Sequence, residues 1–487
     1  MILPDRWAKR LSQNVAGGCH WRVVRQCTGR QAARGTPFEI VSKNREHVVS
    51  ETFVPRNTMM RIGDCLRELG LTYPLTPEWR RGMNQPFRAA AWRLRGAPRH
   101  LKVAAREVNP CAFPRRTLLL AGWFLVCPVV DLHGEPPDPQ VRADADKAVA
   151  RAMEFLAATQ RADGSWEWNG AGDPAISALA GKCFAQHPDF GGRHPIVKRA
   201  AEFVLKFRRD NGGIYVENIG LNNYYTSVAV MFLSACKNEE YAEVISAAQA
   251  YLSKQQWDES EQIEADNAWY GGAGYGSGKR PDLSNTQVMI EALKESGLPA
   301  SDPTYKKALK FIERCQMSSG TNDQAFARGA DDGGFIYSPA NEGESKAGYM
   351  EVRGRPMLRS YGSMTYAGFK SMLYAEVSRG DPRVVKALEW IARHWTLEEN
   401  PNMPGQQSKE GLYYYYHVFA KALRAWGQPV IVDADGVSHE WRRELCAKLC
   451  SLQRPDGSWV NEADRWREGN PYLVTAYAVL ALQAATE

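Results

Sequence analysis

The sequence predicts an all-α protein: a single (α/α)6 toroid of six helical hairpins, preceded by a basic N-terminal segment. Three observations carry that prediction. A short frame of residues recurs six times after residue 140, a second helix-like segment follows each copy, and strand-type alternation is almost absent.

The first copy of the frame is Arg151-Ala152, Phe155-Leu156, Gln160, Gly164 and Trp166. It returns as Arg199-Ala200 with Phe203-Val204 and Arg208, and as Ala247-Ala248 with Tyr251-Leu252 and Gln256. Lys307-Ala308, Phe311-Ile312, Gln316 and Gly320 make the fourth copy, and Lys386-Ala387, Trp390-Ile391 and Trp395 the fifth. A degenerate sixth keeps Leu449, Gln453, Gly457 and Trp459. Starts at 151, 199, 247, 307, 386 and 444 lie 48, 48, 60, 79 and 58 residues apart, room for one hairpin each with insertions in the longer spacings.

Each copy reads as the end of an amphipathic helix stopped by a glycine or a turn. Between and after the copies lie 174–186, 224–236, 284–295, 363–377, 412–426 and 472–484, the second helix of each pair. An open stack of such pairs must cap its ends, whereas a closed ring buries every apolar stripe. The frame-bearing helices are then the outer ring and the others the inner ring.

Composition fits a globular chain: 44% hydrophobic and 24% charged residues exclude a wholly disordered or fibrous protein. No apolar run reaches the 18 residues of a membrane-spanning helix. The net charge of +6 joins two unlike parts. Residues 1–116 hold 22 Lys+Arg against 8 acids, and 117–487 hold 39 against 47. The basic part lacks helix-turn-helix, zinc-finger or RNA-binding patterns, so a nucleic-acid partner is not expected.

Arg115-Arg116 precede the apolar segment 117–130 and the polar, proline-rich 131–139. That layout is the layout of a secretory signal, although no A-x-A-like pair follows it; a core segment and an uncleaved anchor are the other readings. A signal does not function so deep in a chain. Residues 1–110 are therefore read as an Arg-rich extension from a start assigned too far upstream, 111–139 as signal and linker, and 140–487 as the toroid. Export to the periplasm or the exterior is expected if the segment is the true N-terminus, and a cytoplasmic location otherwise. The ten cysteines contain no C-x-x-C pair, and Cys446 and Cys450, four apart, have no histidine at zinc-ligand spacing. They are read as small buried residues, and neither a metal nor another cofactor is expected.

The frame from Arg151 to Trp166 is similar, position for position, to the QW repeat of squalene–hopene and oxidosqualene cyclases. From about residue 140 onward the chain resembles the terpenoid cyclase/protein prenyltransferase α-toroid superfamily. The resemblance implies that the glutamine ties an outer-helix end to the next turn, with the tryptophan packed on it. It also implies a ligand cavity in the ring, and a proton donor if the family's chemistry is kept. The family's D-x-D-D acid is missing, which leaves Asp331 and Asp332 as candidate proton donors; Asp433-Ala-Asp435 reads as a surface turn. The prenyltransferase zinc site is missing too, since no D-x-C occurs and only His417 falls on an expected inner helix. One toroid also lacks the second barrel of the triterpene cyclases.

The inner helices begin with aromatic and small polar residues, and Asn223, Tyr224, Tyr225, Asn285, Tyr361, Tyr415, Tyr416 and His417 are the candidate cavity residues. Tyrosine faces stabilise developing carbocations; they also stack sugars or simply fill a core, and the residues alone leave these readings open. The expected function is binding of an isoprenoid or other apolar small molecule, with its cyclisation and peripheral membrane contact left open. The alternatives are an exported toroid that binds glycan or peptide and a polysaccharide-active enzyme working through paired carboxylates.

Overall fold

The computed structural model describes residues 138–276 and 278–487, within the second of the two units, 1–122 and 123–487, into which the chain divides. The expected basic extension and signal-like segment lie outside the described residues. Among the described residues there are twelve α-helices, each close to its expected place. The outer helices are α1 Pro139–Thr159, α3 Pro195–Leu205, α5 Ala242–Ser253, α7 Pro303–Cys315, α9 Pro382–Arg393 and α11 Trp441–Leu452. The inner helices are α2 Pro174–Ala185, α4 Asn222–Ala235, α6 Leu283–Glu295, α8 Gly362–Tyr374, α10 Leu412–Trp426 and α12 Pro471–Thr486. None of these helices is long and apolar enough to cross a membrane.

Local chemistry sets the helix starts. Proline opens six helices because its missing N–H is unneeded there, and a capping side chain precedes it. Asp138, Asp173, Asp302, Asp381 and Asn470 each accept a first-turn backbone N–H, as does the His194 ring nitrogen. The two rings then differ in composition. On α9 only Val384, Ala387, Trp390 and Ile391 are buried, one stripe of an amphipathic helix, whereas every residue of α2 is buried.

Neighbouring inner helices pack in the order α2, α4, α6, α8, α10, α12, and α12 packs back on α2, closing the ring. Outer α11 packs on α1 at the same junction. Glutamines clamp the outer ring. Gln160 Nε2 donates to Gly164 O of its own turn and to Ile196 O of the next outer helix, both at 3.0 Å. Gln256 and Gln316 repeat that pair of bonds, to Gly271 and Thr304 and to Gly333 and Arg383. Gln453 makes the last, to Gly457 at 2.9 Å and Ala148 at 2.8 Å, joining the final hairpin to the first. The turn glycine is required at this joint. Gly457 has φ +85°, and a Cβ there would collide with the Arg151 carbonyl on α1.

Among the described residues, strands are confined to four two-stranded antiparallel pairs in the connections: β1 167–168 with β2 171–172, β3 316–318 with β4 331–335, β5 349–352 with β6 355–358, and β7 430–432 with β8 438–440. The connections are unequal. Those from an inner to the next outer helix are mostly brief (236–241, 296–302 and 375–381), whereas 254–282 and 316–361 lead from outer to inner helices. The long loops therefore gather on the face where the inner helices begin.

Away from that face, the middle of the ring is filled by charge. The Glu291 carboxylate accepts from Lys370 and Lys421, and Glu295 accepts from Lys182 and, at 2.7 Å, from Lys421. Burial alone would raise both carboxyls, but the ammonium groups outweigh it and hold Glu291 well below its ordinary range and Glu295 at about 2. The five cysteines of the ring are free thiols: four are buried and Cys450 is half-buried.

Candidate functional site

The inner helices contribute their first turns to a cavity of about 280 Å³ on the long-loop face. Its wall is aromatic: Tyr224 and Tyr225 from α4, Tyr414 from α10, Tyr477 from α12, and Tyr275, Tyr337, Tyr361 and Trp466 from the connections. Ala175, Ile176, Leu221, Met364 and Leu473 fill the spaces between them. The tyrosine hydroxyls are largely occupied with one another or with the wall. Tyr224 and Tyr477 share a hydrogen bond of 2.9 Å, Tyr414 lies 3.1 Å from the Ser284 hydroxyl, and Tyr225 donates to Asp173 at 2.9 Å. Ring faces are thus left as the lining. Burial raises these phenols, Tyr224 to about 12 and Tyr477 well above its usual value, so they stay neutral.

Two carboxyls line the same space in unlike surroundings. Asp173 caps α2 through Ala175 N at 2.9 Å and Ile176 N at 3.0 Å, and its Oδ2 also faces Arg467 at 3.5 Å. Glu468 is 1% exposed and caps α10, accepting from Tyr414 N at 2.7 Å, Tyr413 N at 3.3 Å and Asn461 Nδ2 at 2.6 Å. Burial raises Glu468 to about 7 despite those donors. Behind the wall Asp282 caps α6 through Asn285 and is likewise raised by burial, to about 6. No group of three or more His, Cys, Asp or Glu able to hold a metal occurs among the described residues.

The expected site residues divide. Tyr224, Tyr225, Tyr361 and Asn285 line the cavity. Asn223 is fully buried beside it, donating to Gly274 O at 2.9 Å and Asn285 O at 3.3 Å, which stitches α4 to α6. Tyr415 and Tyr416 turn away toward the outer ring, where their hydroxyls donate to Thr396 O at 2.8 Å and Leu397 O at 2.6 Å. His417 is buried against Tyr477, ring centroids 5.4 Å apart, with burial and the Lys421 charge keeping it neutral.

Asp331 and Asp332 are not in the cavity wall. Asp331, its side chain 73% exposed, pairs with Lys386 of α9. Asp332 accepts from Ser360 Oγ at 2.7 Å and Gly334 N at 2.9 Å, while Trp390 Nε1 donates to the same Ser360 hydroxyl at 2.8 Å. Both therefore brace the joint between β4 and outer helix α9. The loop does lead to an inner helix, as expected, but its acids sit at the outer end. In their place the wall holds Asp173 and Glu468, with Arg467 and Lys346 beside the tyrosines.

The chain matches no protein-family model and no curated protein. Among solved structures, type II terpene cyclase MstE from Scytonema is 16% identical, with a TM-score of 0.44 over 70% of this chain and 98% of that one. A protein from Actinoplanes is also 16% identical, with a TM-score of 0.43 over 70% of this chain and all of that one. The GH76A alpha-1,6-mannanase from Salegentibacter sp. HEL1_6 is 9% identical, with a TM-score of 0.47 over 70% and 98%. The class, an α/α toroid, is defined by the chain's own twelve described helices and the closure of α12 on α2, and the chemistry must be read from its own cavity.

Proposed function

We propose that the ring binds an isoprenoid or comparably apolar small molecule in the tyrosine cavity. The observation that carries this reading is the pairing of the wall hydroxyls: with Tyr224 on Tyr477, Tyr414 on Ser284 and Tyr225 on Asp173, the wall offers aromatic faces. Such faces suit alkyl chains, double bonds and any positive charge that develops on them. At about 280 Å³ the cavity stands at the small end of ligand pockets, which run from roughly 300 to 1,000 Å³, so a short chain suits it better than a triterpene. Turnover of such a ligand would begin with a proton. In the wall, Glu468 rather than Asp331 or Asp332 is the carboxyl that still holds one near neutrality.

One observation favours a second reading. Asp173 and Glu468 line the same cavity and burial raises the Glu468 carboxyl to about 7, and a glycoside-cleaving site needs such an acid with a second carboxyl beside it. Calorimetric titration of the protein with geraniol, farnesol and mannobiose separates the two. Under the first reading a terpenoid alcohol binds with a negative heat-capacity change, and Tyr414→Ala weakens it by about tenfold, roughly 1.4 kcal/mol. Binding of the disaccharide alone would overturn that reading and support the second.

A further inference from the structure

We infer that the cavity's ligand carries an oxyanion head group, a carboxylate or phosphate, and that Arg467 receives it. This rests on the apolar-ligand reading and adds the chemistry of the ligand's polar end. Arg467 stands in the wall on the connection between α11 and α12. Its guanidinium lies over the Trp168 ring, 5.0 Å from the centroid, so stacking fixes its plane and leaves the N–H edge for hydrogen bonds. That edge has five donors. Its ion pair in the protein is a single long contact, Nη1 to Asp173 Oδ2 at 3.5 Å.

The fold does not need that contact. Asp173 already caps α2 through Ala175 and Ile176 and accepts from the Tyr225 hydroxyl. The backbone that presents the arginine is also unusual. Trp466 and Arg467 both adopt left-handed conformations, φ 59° and 69°, which side chains other than glycine rarely take. Such strain persists where the surroundings enforce it, commonly at ligand sites. Here Asn461 N donates to Glu468 O at 3.0 Å, Asn470 N donates to Arg467 O at 2.9 Å, and the Trp466 ring lies against Gly411. The Arg467 side chain is 35% exposed and pairs only at long range with Asp173, so N–H donors remain that an oxyanion in the cavity can take and a wholly apolar ligand would leave unused. A planar carboxylate satisfies two of them at once, and a phosphate two or three.

The test titrates the full chain with farnesol, farnesoic acid and farnesyl monophosphate at neutral pH and constant salt. The expected result is that at least one of the two anions binds about tenfold or more tighter than farnesol. Arg467→Gln should erase that preference, and Arg467→Lys should keep part of it for phosphate and little for carboxylate. Thermal melts of both variants report folding, and Arg467→Lys serves should Arg467→Gln fail to fold. Equal binding of farnesol and both anions by the wild type overturns the inference and leaves the apolar-ligand reading standing, as does an undiminished preference in the variants. Failure of all three ligands to bind overturns both.

Discussion

Tyr414, His417 and Lys421 stand three and four residues apart on α10 and share the face that looks along the ring axis. The run Tyr413 to Tyr416 advances about 100° per residue, so the four tyrosines cannot all share one face, and one of them lines the cavity. That it is Tyr414, with Tyr415 and Tyr416 turned outward, depends on the helix's rotation in the ring, which composition does not reveal. Asp331 and Asp332 were attractive because their loop leads to an inner helix, yet Lys386, Ser360 and Arg393 hold them at the outer end. Asp331→Asn and Asp332→Asn should therefore leave ligand affinity unchanged, whereas Asp332→Ala should cost about 1–2 kcal/mol in denaturant unfolding by orphaning Ser360 and Gly334 N. Glu468 gives a prediction with a sign. Its folded value of about 7 lies above its ordinary 4.5, so its favourable contribution is complete below about 4.5 and is lost as pH rises through 7. The melting temperature of the wild type should fall more between pH 5 and 8 than that of Glu468→Gln; equal slopes would contradict the assignment.

At the level of elements, the sequence was most explicit. Asp-Pro or Asn-Pro pairs opened α1, α2, α7, α9 and α12, and each frame copy fell in an outer helix. What stayed hidden was the content of the loops: Tyr275, Tyr337, Lys346, Trp466 and Arg467 line the cavity from connections whose paths follow tertiary contacts rather than any period. The joints between hairpins make a direct prediction. Gly457→Ala forces a Cβ onto the Arg151 carbonyl, while Gly170, also at positive φ (+81°), has open space around it. Gly170→Ala should cost only about 1 kcal/mol and Gly457→Ala clearly more, read as shifts in the denaturant midpoint. Gln453→Ala, which frees the Ala148 and Gly457 carbonyls, should cost about 1–3 kcal/mol.

For the whole ring, closure and the central charges act together. Lys182, Lys370 and Lys421 face Glu291 and Glu295 from α2, α8, α10 and α6, so the cluster joins four of the six inner helices. Removing one member leaves a buried charge without a partner. Glu291→Leu should therefore destabilise the ring by about 3–5 kcal/mol, and adding Lys370→Met should recover part of that loss in thermal unfolding. Because Glu291 and Glu295 are held below their ordinary values, their contribution is present above about pH 4.5 and is lost as acid titrates them. The ring itself was legible in six spaced frames, but this cluster was not, since Lys182, Glu291, Lys370 and Lys421 lie far apart in the chain. The first turns of the same closed ring wall the tyrosine cavity, and its proposed occupancy can be read by photoaffinity labelling with a diazirine-bearing prenyl probe and peptide mapping. The account predicts labels on the first turns of α4, α8, α10 and α12 that excess farnesol suppresses, and labels confined to the outer helices would contradict it.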